Sequence, residues 1–336
     1  RAKAVALAPA LRRPDRTRMP AVPNSGGVTA GPPLFHMLDL PMWPGIENES
    51  SQFRIACYAK PWRDVTLYAS PEQSGYQLRT VIPYAAIMGE LTTELRASPS
   101  GRFMHQQSFD VHLYHGELHS QSLIQVLNTA NTALVQNSAG GWEILQYLKA
   151  EEIAAGHWRL KSLLRGQSGT EDEALVVKPA GAPFILLDDR VVPAGLQKTE
   201  NGLMLNWRAG PSGYDFSDDY FSTQTFTGGA KALKPLSPVH LRYRRRINGD
   251  IHFQWIRRGR IDADSWAGEE IPLGEAAEKY LVRLWNGETL LLEAEVTEPG
   301  FIWSGAGKSG EALRFEVAQI SQSGGAGTTA SLLLHS

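Results

Sequence analysis

Residues Gly140 to Glu171 read GGWEILQYLKAEEIAAGHWRLKSLLRGQSGTE. From Trp142 to Lys149 the side chains alternate between two faces with the two-residue period of a β-strand. Ala154-Ala155-Gly156 interrupts this run, and a second alternating segment extends from Trp158 to Leu164. The two glycines of the following RGQSG segment permit the backbone angles of tight turns. The stretch therefore predicts a β-hairpin that ends in a glycine-containing turn.

Short strands of the same kind are predicted along much of the chain. They are Phe53 to Tyr58, Asp64 to Ala69, Gly75 to Val81, Gly89 to Ala97, Ser108 to Tyr114, Leu175 to Val177, Phe184 to Leu187 and Leu203 to Trp207. Ser120 to Asn131 could form a short helix. The 32 Gly, 20 Pro, 9 Trp, 10 Tyr and 11 Phe suit short strands joined by tight turns. We therefore expect an all-β fold with minor α content.

The last third of the chain carries the clearest domain signal. Val239, Leu241 and Tyr243 alternate with polar residues, and Asn248-Gly249 is a strong two-residue hairpin turn. Further strands are predicted at Ile251 to Trp255, Tyr280 to Leu284, Thr289 to Val296, Phe301 to Ser304, Leu313 to Val317 and Thr328 to Leu334. About seven strands in about 100 residues indicate a two-sheet sandwich. The sandwich resembles a fibronectin type III domain, with Trp255 and Tyr280 in the core positions and an insertion from Gly259 to Gly274.

These patterns divide the chain into three parts. Residues 1–33 are rich in Pro, Arg, Ala and Gly and predict an extended arm or linker. Residues 34–235 form a β-rich region that could comprise two subdomains, divided near residues 120–140. Residues 236–336 form the sandwich, after a proline-stiffened joint. Gly210 to Gly229 is expected to be a polar, aromatic-rich loop.

Several segments resemble one protein family. The strand Glu143 to Gln146, the LRG-x-x-GTE turn from Leu164 to Glu171 and the apolar strand Phe184 to Asp188 are similar to the central baseplate hub, or host-specificity tail protein, of gene transfer agents and related long-tailed bacteriophages. Leu236 to Leu241, Trp255 to Arg258 and Asp262 to Trp266 resemble the C-terminal part of the same family. The resemblance covers most of the chain, and LLRGQSGTE is its most specific segment.

The resemblance implies a structural role. It implies hub-type β-barrel or sandwich domains followed by the fibronectin-like sandwich, and a homotrimer at the tip of a tail tube. Expected partners are the chain itself, distal tail and hub proteins, and tail fibre or receptor-binding proteins. The protein would lie in the virion, at the tail tip, after assembly in the bacterial cytoplasm, and would help attach the particle to its host and deliver DNA. The arm and the loop Gly210 to Gly229 would supply symmetric contacts.

No segment predicts catalysis or cofactor binding. Family members often carry a glycosidase-like barrel upstream, but nothing here matches one, and the opening Arg1 leads us to expect a piece of a longer polypeptide. The patterns G-x-S-x-G, H-E-x-x-H and Walker A are absent from the sequence. The single Cys57 is expected to be a buried strand cysteine. We therefore name no catalytic, cofactor-binding or metal-binding residues and expect no enzyme activity.

Two groups of residues contain potential metal ligands, but neither is favoured as a metal site. His112, His115 and His119, with Glu117, have a ligand-like spacing, but positions 112 and 115 of a strand face opposite sides unless Gly116 turns the chain. Ordinary strand and turn histidines are the better interpretation. The loop Tyr214 to Phe221 offers oxygen ligands for calcium, but its spacing matches no EF-hand. A surface loop and an aromatic loop packed on a neighbouring subunit are equally favoured there.

Charged clusters are interpreted as structural. The pairs Glu151-Glu152 and Asp188-Asp189 are expected to be turn acids, since neighbouring carboxylates diverge and cannot flank a glycosidic bond. Seven arginines cluster in sequence around one hairpin: Arg242, Arg244, Arg245, Arg246, Arg257, Arg258 and Arg260. A solvated sheet face or a protein contact is favoured over nucleic-acid binding, because Asp262, Asp264, Glu269 and Glu270 follow and net charge is −2.

Two other functions remain open. The chain could be an accessory part of a secreted cell-wall glycosidase, which would need facing carboxylates on an aromatic cleft. It could also be a receptor- or glycan-binding adhesin module with Trp142, Trp158, Trp207 and Trp303 as stacking platforms, although strand alternation buries most of them. No apolar run reaches the roughly 18–20 residues of a membrane-spanning helix. Ala4 to Leu11 is too short and too closely followed by arginines for a signal peptide.

Overall fold

The computed structural model describes residues 31–43, 48–215, 219–261, 271–304 and 313–334. In chain order the first strands are β1 (Leu34–Asp39), β2 (Phe53–Tyr58), β3 (Val65–Ser70), β4 (Gln77–Ile82), β5 (Met88–Leu91), β6 (Phe103–Leu113), β7 (Thr132–Gln136), β8 (Trp142–Ala154), β9 (His157–Leu164), β10 (Pro183–Leu186), β11 (Val192–Pro193), β12 (Met204–Pro211) and β13 (Ser222–Thr227). Two short helices, α1 (Leu123–Leu127) and α2 (Glu171–Ala174), interrupt them. The all-β class with little helix is confirmed.

Six strands close into a barrel in the order β10-β5-β6-β9-β8-β7, and β10 pairs with both β5 and β7. The predicted hairpin is present within it: β8 and β9 pair antiparallel, with Lys149 opposite Lys161. The interior is filled by inward-pointing residues that include Phe109, Leu145 and Phe184. At Gly89 a Cβ atom would lie 2.1 Å from the carbonyl oxygen of His112, so only glycine allows this approach of β5 to β6.

Two further sheets pack beside the barrel as successive layers. A three-stranded sheet has the order β1-β2-β11, and a four-stranded sheet has the order β13-β12-β3-β4. One face of the three-stranded sheet packs on the four-stranded sheet, where the Phe53 and Trp207 ring centroids lie 5.3 Å apart. The other face carries Leu38 against Met88 and Ile144 of the barrel. The central sheet is thus buried on both sides, which makes residues 34–227 one packed unit.

The C-terminal sandwich has the two sheets that the sequence predicts. Its strands are β14 (Val239–Arg245), β15 (Ile251–Ile256), β16 (Tyr280–Asn286), β17 (Thr289–Val296), β18 (Gly300–Trp303), β19 (Leu313–Ser321), β20 (Gly325–Ala326) and β21 (Ala330–Leu334). One sheet is β14-β15-β18, and the other is built on β16, β17 and β19 with β20 and β21. Trp255 and Tyr280 are both buried and meet edge to face at 5.2 Å, so the predicted core pair is confirmed.

The joint between the two parts is packed. A 3₁₀ turn at Lys231–Leu233 leads into buried Pro235. Cβ atoms added to Gly324 and Gly327 would lie 2.2 Å and 2.3 Å from the carbonyl oxygens of Leu233 and Pro235. The residues on either side of β20 therefore lie directly on the connector, and their glycines allow that contact.

Several sequence predictions are wrong in detail. Gly210 to Gly229 is not a loop throughout, because β12 runs to Pro211 and Ser222–Thr227 forms β13, whose polar alternation hid a strand. Leu175 to Val177 is not a strand: the acidic turn after Thr170 forms α2, and only a single bridge joins Leu95 to Lys178. The strand expected from Gly89 to Ala97 ends at Leu91, where the Thr93 hydroxyl accepts a hydrogen bond from the backbone of Asp110.

The expected subdomain division near residues 120–140 does not separate two sheets. That segment contains α1 and β7, and β7 is an integral strand of the barrel. Of the predicted arm, residues 1–30 lie outside the described residues, as does the Asp262 to Trp266 segment. Within the part of the chain that the structure describes, no helix combines the length and the apolar character needed to cross a membrane.

Candidate functional site: the LRGQSGTE segment and its surroundings

The two segments that carry the family resemblance meet inside the barrel domain. Arg165, just after β9, makes a bidentate ion pair with Glu143 of β8, with Nε–Oε1 and Nη2–Oε2 distances of 2.6 and 2.8 Å. Both side chains are fully buried. The remaining Nη1 of Arg165 donates to the carbonyl oxygen of Arg96 and to Gln107 Oε1, each at 3.0 Å. The guanidinium thus joins three chain segments.

A third buried charge completes this network. The Lys178 ammonium contacts Glu143 Oε2 and donates to the carbonyl oxygens of Glu173 and Val176 at 2.5 and 2.7 Å. Burial lowers the pKa of Lys178, and the Glu143 carboxylate opposes that shift. One carboxylate therefore faces two cations, and backbone carbonyls share the excess positive charge. Each charge has the partners that a buried ion requires.

The other motif residues fix the turn around this network. Gly166 has a left-handed φ of 59°, and its amide donates to Glu143 Oε1 at 3.0 Å. The Thr170 hydroxyl accepts from the amide of Ile144 at 3.0 Å. Gln146 donates through Nε2 to the carbonyl oxygens of Val126 and Ala130, which secures the segment after α1. EILQ and LRGQSGTE are thus two halves of one hydrogen-bonded unit.

The same segment reaches the sandwich. Glu171 Oε1 accepts from Arg258 Nη1 at 2.6 Å, and a Cβ atom on Gly169 would lie 2.5 Å from Leu236 Cδ2. Arg260 completes the junction by three hydrogen bonds. Its Nη1 donates to Glu49 Oε1 and to the carbonyl oxygen of Ala232, both at 2.9 Å, and its Nε donates to Glu275 Oε1 at 2.7 Å. Its side chain is only 5% exposed. Arg260 therefore ties the first part, the connector and the sandwich at one point.

A cavity of about 450 Å³ lies beside the network. β1, β13, the β7–β8 turn and α2 form its walls, and His36, Asp39, Trp142, Glu173 and Lys231 are among its lining residues. Burial lowers the pKa of His36 and raises the pKa of Asp39. A Cβ atom on Gly141 would lie 2.0 Å from Glu173 Oε2, so a larger residue there would displace the Glu173 carboxylate.

The predicted histidine cluster is not assembled. His112 stacks on His157, with ring centroids 4.4 Å apart, whereas His115 stacks on Tyr58 at 5.1 Å. The backbone carbonyl of His119 accepts from Asn131. Among the described residues no group of three or more metal-ligating side chains is present.

The predicted acidic pairs behave differently from each other. Glu151 and Glu152 lie in β8 and are not turn acids: Glu151 pairs with Lys161 across the hairpin, and Glu152 accepts from the Gly156 amide. The alternating strand simply runs on to Ala154. Asp188 does lie in a turn, where it accepts from the Arg190 amide at 3.0 Å.

The other candidates take structural positions. Cys57 is buried in β2, and burial raises the pKa of its thiol to about 12, as expected for an inert cysteine. Tyr214 and Tyr220 of the aromatic loop meet edge to face at 5.2 Å, while residues 216–218 lie outside the described residues. Trp142, Trp158 and Trp207 are buried, as strand alternation predicts.

The arginine cluster is divided between two uses. Arg242 and Arg244 are exposed on the outer face of the sandwich, opposite Gln254 and His252, as the alternation predicts. Arg257 donates to backbone carbonyls of Ile271 and Pro272. Arg258 and Arg260 instead make contacts within the chain, at the junction described above. The acidic residues expected to neutralise the cluster lie in the segment 262–270, outside the described residues.

Comparison with known proteins gives one family match. Residues 86–185 match the model of a family described as Rcc01698-like, C-terminal. The matched segment coincides with the barrel, which begins at Met88 and ends at Leu186. A search of curated proteins finds no match.

Two of the matching solved structures are distant. Domains d3-d4 of the rat CD45 extracellular region align at 13% identity, covering 44% of this chain and 71% of that chain, with a TM-score of 0.25. A cytokine receptor complex aligns at 12% identity, covering 74% of this chain and 94% of that chain, with a TM-score of 0.23. Scores this low carry no argument about fold or function.

The first prediction concerns the buried network. Arg165→Met should lower the free energy of unfolding by about 3–5 kcal/mol, because it leaves the Glu143 carboxylate short of a buried partner. Lys178→Met should cost less, since the bidentate pair survives. Lys161→Met is the matched control, because it removes a cation from an exposed pair, and it should change stability little. Urea unfolding of the three variants tests this order, and a control loss equal to that of Arg165→Met would contradict it.

The second prediction concerns the junction. Arg260→Met should release the connector from the first part of the chain and from the sandwich. The carboxylates of Glu49 and Glu275 and the carbonyl oxygen of Ala232 would all lose the guanidinium that now donates to them. Hydrogen–deuterium exchange should rise at the amides of Leu233 and Lys234, which are bonded within the 3₁₀ turn, and should stay unchanged in β8 and β9. Arg242→Met, on the exposed sheet face, is the control and should leave exchange unchanged at the connector. Equal exchange in both variants would show that Arg260 does not hold the joint.

The third prediction concerns pH. Burial lowers the pKa of His36 and, together with the nearby Arg190 charge, that of His115. Below about pH 6.5, the histidine pKa in the unfolded chain, the unfolded chain binds protons at these two residues that the folded chain does not. The free energy of unfolding therefore decreases as the pH is lowered, until the pKa values of the folded chain are reached. Replacing both residues with glutamine should flatten the stability profile on the acid side of about pH 6.5. The exposed His119→Gln is the control; a slope unaffected by the double variant would refute the assignment.

Proposed function

We propose that this chain is a structural component of the tail tip of a phage-like particle, most similar in role to a baseplate hub. In this proposal it assembles as a homotrimer, contacts distal tail and hub proteins, and presents fibres or receptor-binding proteins that attach the particle to its host before DNA delivery. Its location would be the virion. No catalytic role is assigned to the described residues.

One observation carries the proposal: the residues that resemble the hub family are the residues that build the barrel. Glu143 and Arg165 form its buried ion pair, and Thr170 and Gly166 fix the turn around that pair. The Rcc01698-like match covers the same barrel. The similarity therefore follows a shared architectural unit and not a catalytic motif, which favours a building block over an enzyme.

The domain junction supports a mechanical role. A closed barrel has no free strand edges. Its hydrogen-bond ladder therefore resists shear between strands and cannot pair with a strand of another chain. Glu171 and Arg258 couple this barrel directly to the sandwich at 2.6 Å. Arg260 links the sandwich to the connector and to Glu49, which lies just before β2 of the three-stranded sheet. A tail tip must transmit force between domains, and these contacts provide a stiff path.

An exposed apolar helix supplies a surface for subunit contact. Leu123, Ile124 and Leu127 of α1 are 49%, 72% and 60% exposed. The helix has a capping box at Ser122 and Gln125, and the Gln146 side chain secures the segment that follows it. A well-fixed element with three exposed aliphatic side chains is typical of an interface. We assign this surface to the contact between copies in the trimer.

The test begins with stoichiometry. Quantitative mass spectrometry of purified particles should find the chain in multiples of three, and labelled antibodies should locate it at the tail tip. Light scattering of the isolated chain should detect a trimer that Ile124→Glu weakens. Ile247→Glu, at the fully exposed β14–β15 hairpin tip, is the matched control and should leave the trimer intact.

Two outcomes would count against the proposal. A monodisperse monomer that is missing from purified particles would contradict the hub role itself. A trimer that Ile124→Glu leaves unchanged would contradict the assignment of the α1 surface to the subunit contact.

A further inference from the structure

The cavity beside the buried network has a distinctive chemistry. Its charged side chains are already paired within the protein. Both carboxylate oxygens of Asp39 accept backbone hydrogen bonds, from the amides of Gly229, Ala230 and Lys231 at 3.1–3.2 Å. Glu173 accepts from Asn137 Nδ2 at 2.6 Å and from Lys231 Nζ at 3.0 Å. A charged ligand would therefore have to compete with existing pairs.

Neutral groups in the cavity retain hydrogen-bonding capacity. Gln136 donates one amide proton to the Gly140 carbonyl oxygen, and Gln224 donates one to the Phe35 carbonyl oxygen. Each glutamine keeps its Oε1 acceptor and a second amide proton. The neutral imidazole of His36, favoured by burial, adds one donor and one acceptor. These three side chains can accept from and donate to hydroxyl groups without any net charge.

Aromatic side chains complete the walls. Trp142 lines the cavity, and His36 meets it edge to face at a centroid distance of 5.5 Å. Phe226 lines the same cavity from β13. Apolar ring surface beside amide groups suits a ligand with alternating C–H and O–H faces. The cavity volume of about 450 Å³ lies within the range of small-molecule sites.

We propose that this cavity binds a neutral polyhydroxylated ligand, namely an uncharged sugar unit. Gln136, Gln224 and His36 would hydrogen-bond its hydroxyl groups, and Trp142 and Phe226 would contact its apolar face. The site lies between β1, β13 and the β7–β8 turn, and Glu173 is one of its lining residues. The inference does not depend on the hub role, because it uses only the lining of the cavity.

The experiment is calorimetric titration of the full chain with glucose, galactose, mannose and N-acetylglucosamine, and with their β-linked disaccharides to separate a free sugar from a polysaccharide segment. We expect at least one probe to bind below about 1 mM, with an affinity that salt does not change, since no net charge is neutralised. Gln136→Leu with Gln224→Leu should weaken that binding at least about tenfold. Gln254→Leu, on the outer face of the sandwich, should not.

A second variant blocks the space without removing a hydrogen-bonding group. Ala139 is exposed and lines the cavity. The substitution Ala139→Trp should fill the space that the ligand would occupy and should therefore also abolish binding. Thermal unfolding confirms that each variant remains folded. Three outcomes would overturn the inference: no probe binds at about 10 mM, binding survives both cavity variants, or a sulfated sugar binds about tenfold more tightly than its neutral parent.

Discussion

The buried carboxylate of Glu143 imposes the constraint on which the rest of the domain depends. An ionised carboxylate without solvent is costly unless opposite charge and hydrogen bonds surround it. Arg165 and the Gly166 amide supply these from the turn after β9, and Lys178 supplies the second cation from a separate segment. The pairing of β8 with β9, the turn after β9 and the approach of the Lys178 segment must therefore all be correct at once. An ion network of this kind contributes specificity more than net stability, since an alternative register would leave a charge unpaired.

The constraint extends beyond the barrel because the turn it fixes also faces the connector. Gly169 and Glu171 belong to the same short segment as Gly166, and they contact Leu236 and Arg258 of the C-terminal part. A shift of the barrel turn would therefore move the sandwich. The central three-stranded sheet adds a second route of coupling, since it packs on the four-stranded sheet through Phe53 and on the barrel through Leu38. The orientation of the sandwich follows from packing within the first part and not from the proline joint alone.

Local patterns predicted the strands and the core, but not how distant segments combine. Alternation identified β8, β9 and the sandwich core around Trp255 and Tyr280, because a half-buried strand leaves a two-residue period in the sequence. It missed β13, whose Thr-rich run has no apolar period, and it extended β5 past Leu91, where a threonine hydroxyl replaces a backbone partner. The network was not predicted, because Glu143 and Lys178 become neighbours only when the barrel closes. The only sign of the network in the sequence was the position of two charged residues beside apolar ones. Glu143 lies within the apolar start of β8, and Arg165 directly follows the apolar end of β9. The cavity likewise joins β1 to β13, which are far apart in the sequence.

Edge protection determines where association can occur. The barrel has no free edge, and the edge strand β14 of the sandwich carries Arg242, Arg244 and Arg246 at its exposed positions and just beyond its end. Like charges along an edge oppose pairing with another strand. Edge-to-edge β-pairing between copies is therefore disfavoured at both places. Among the exposed apolar residues, Leu123, Ile124 and Leu127 are close neighbours on one short helix, whereas Ile256 and Ile302 lie on the basic face of the sandwich. A basic face repels its own copy, whereas the residues of α1 carry no charge, which is consistent with the proposed use of α1 as a contact between copies.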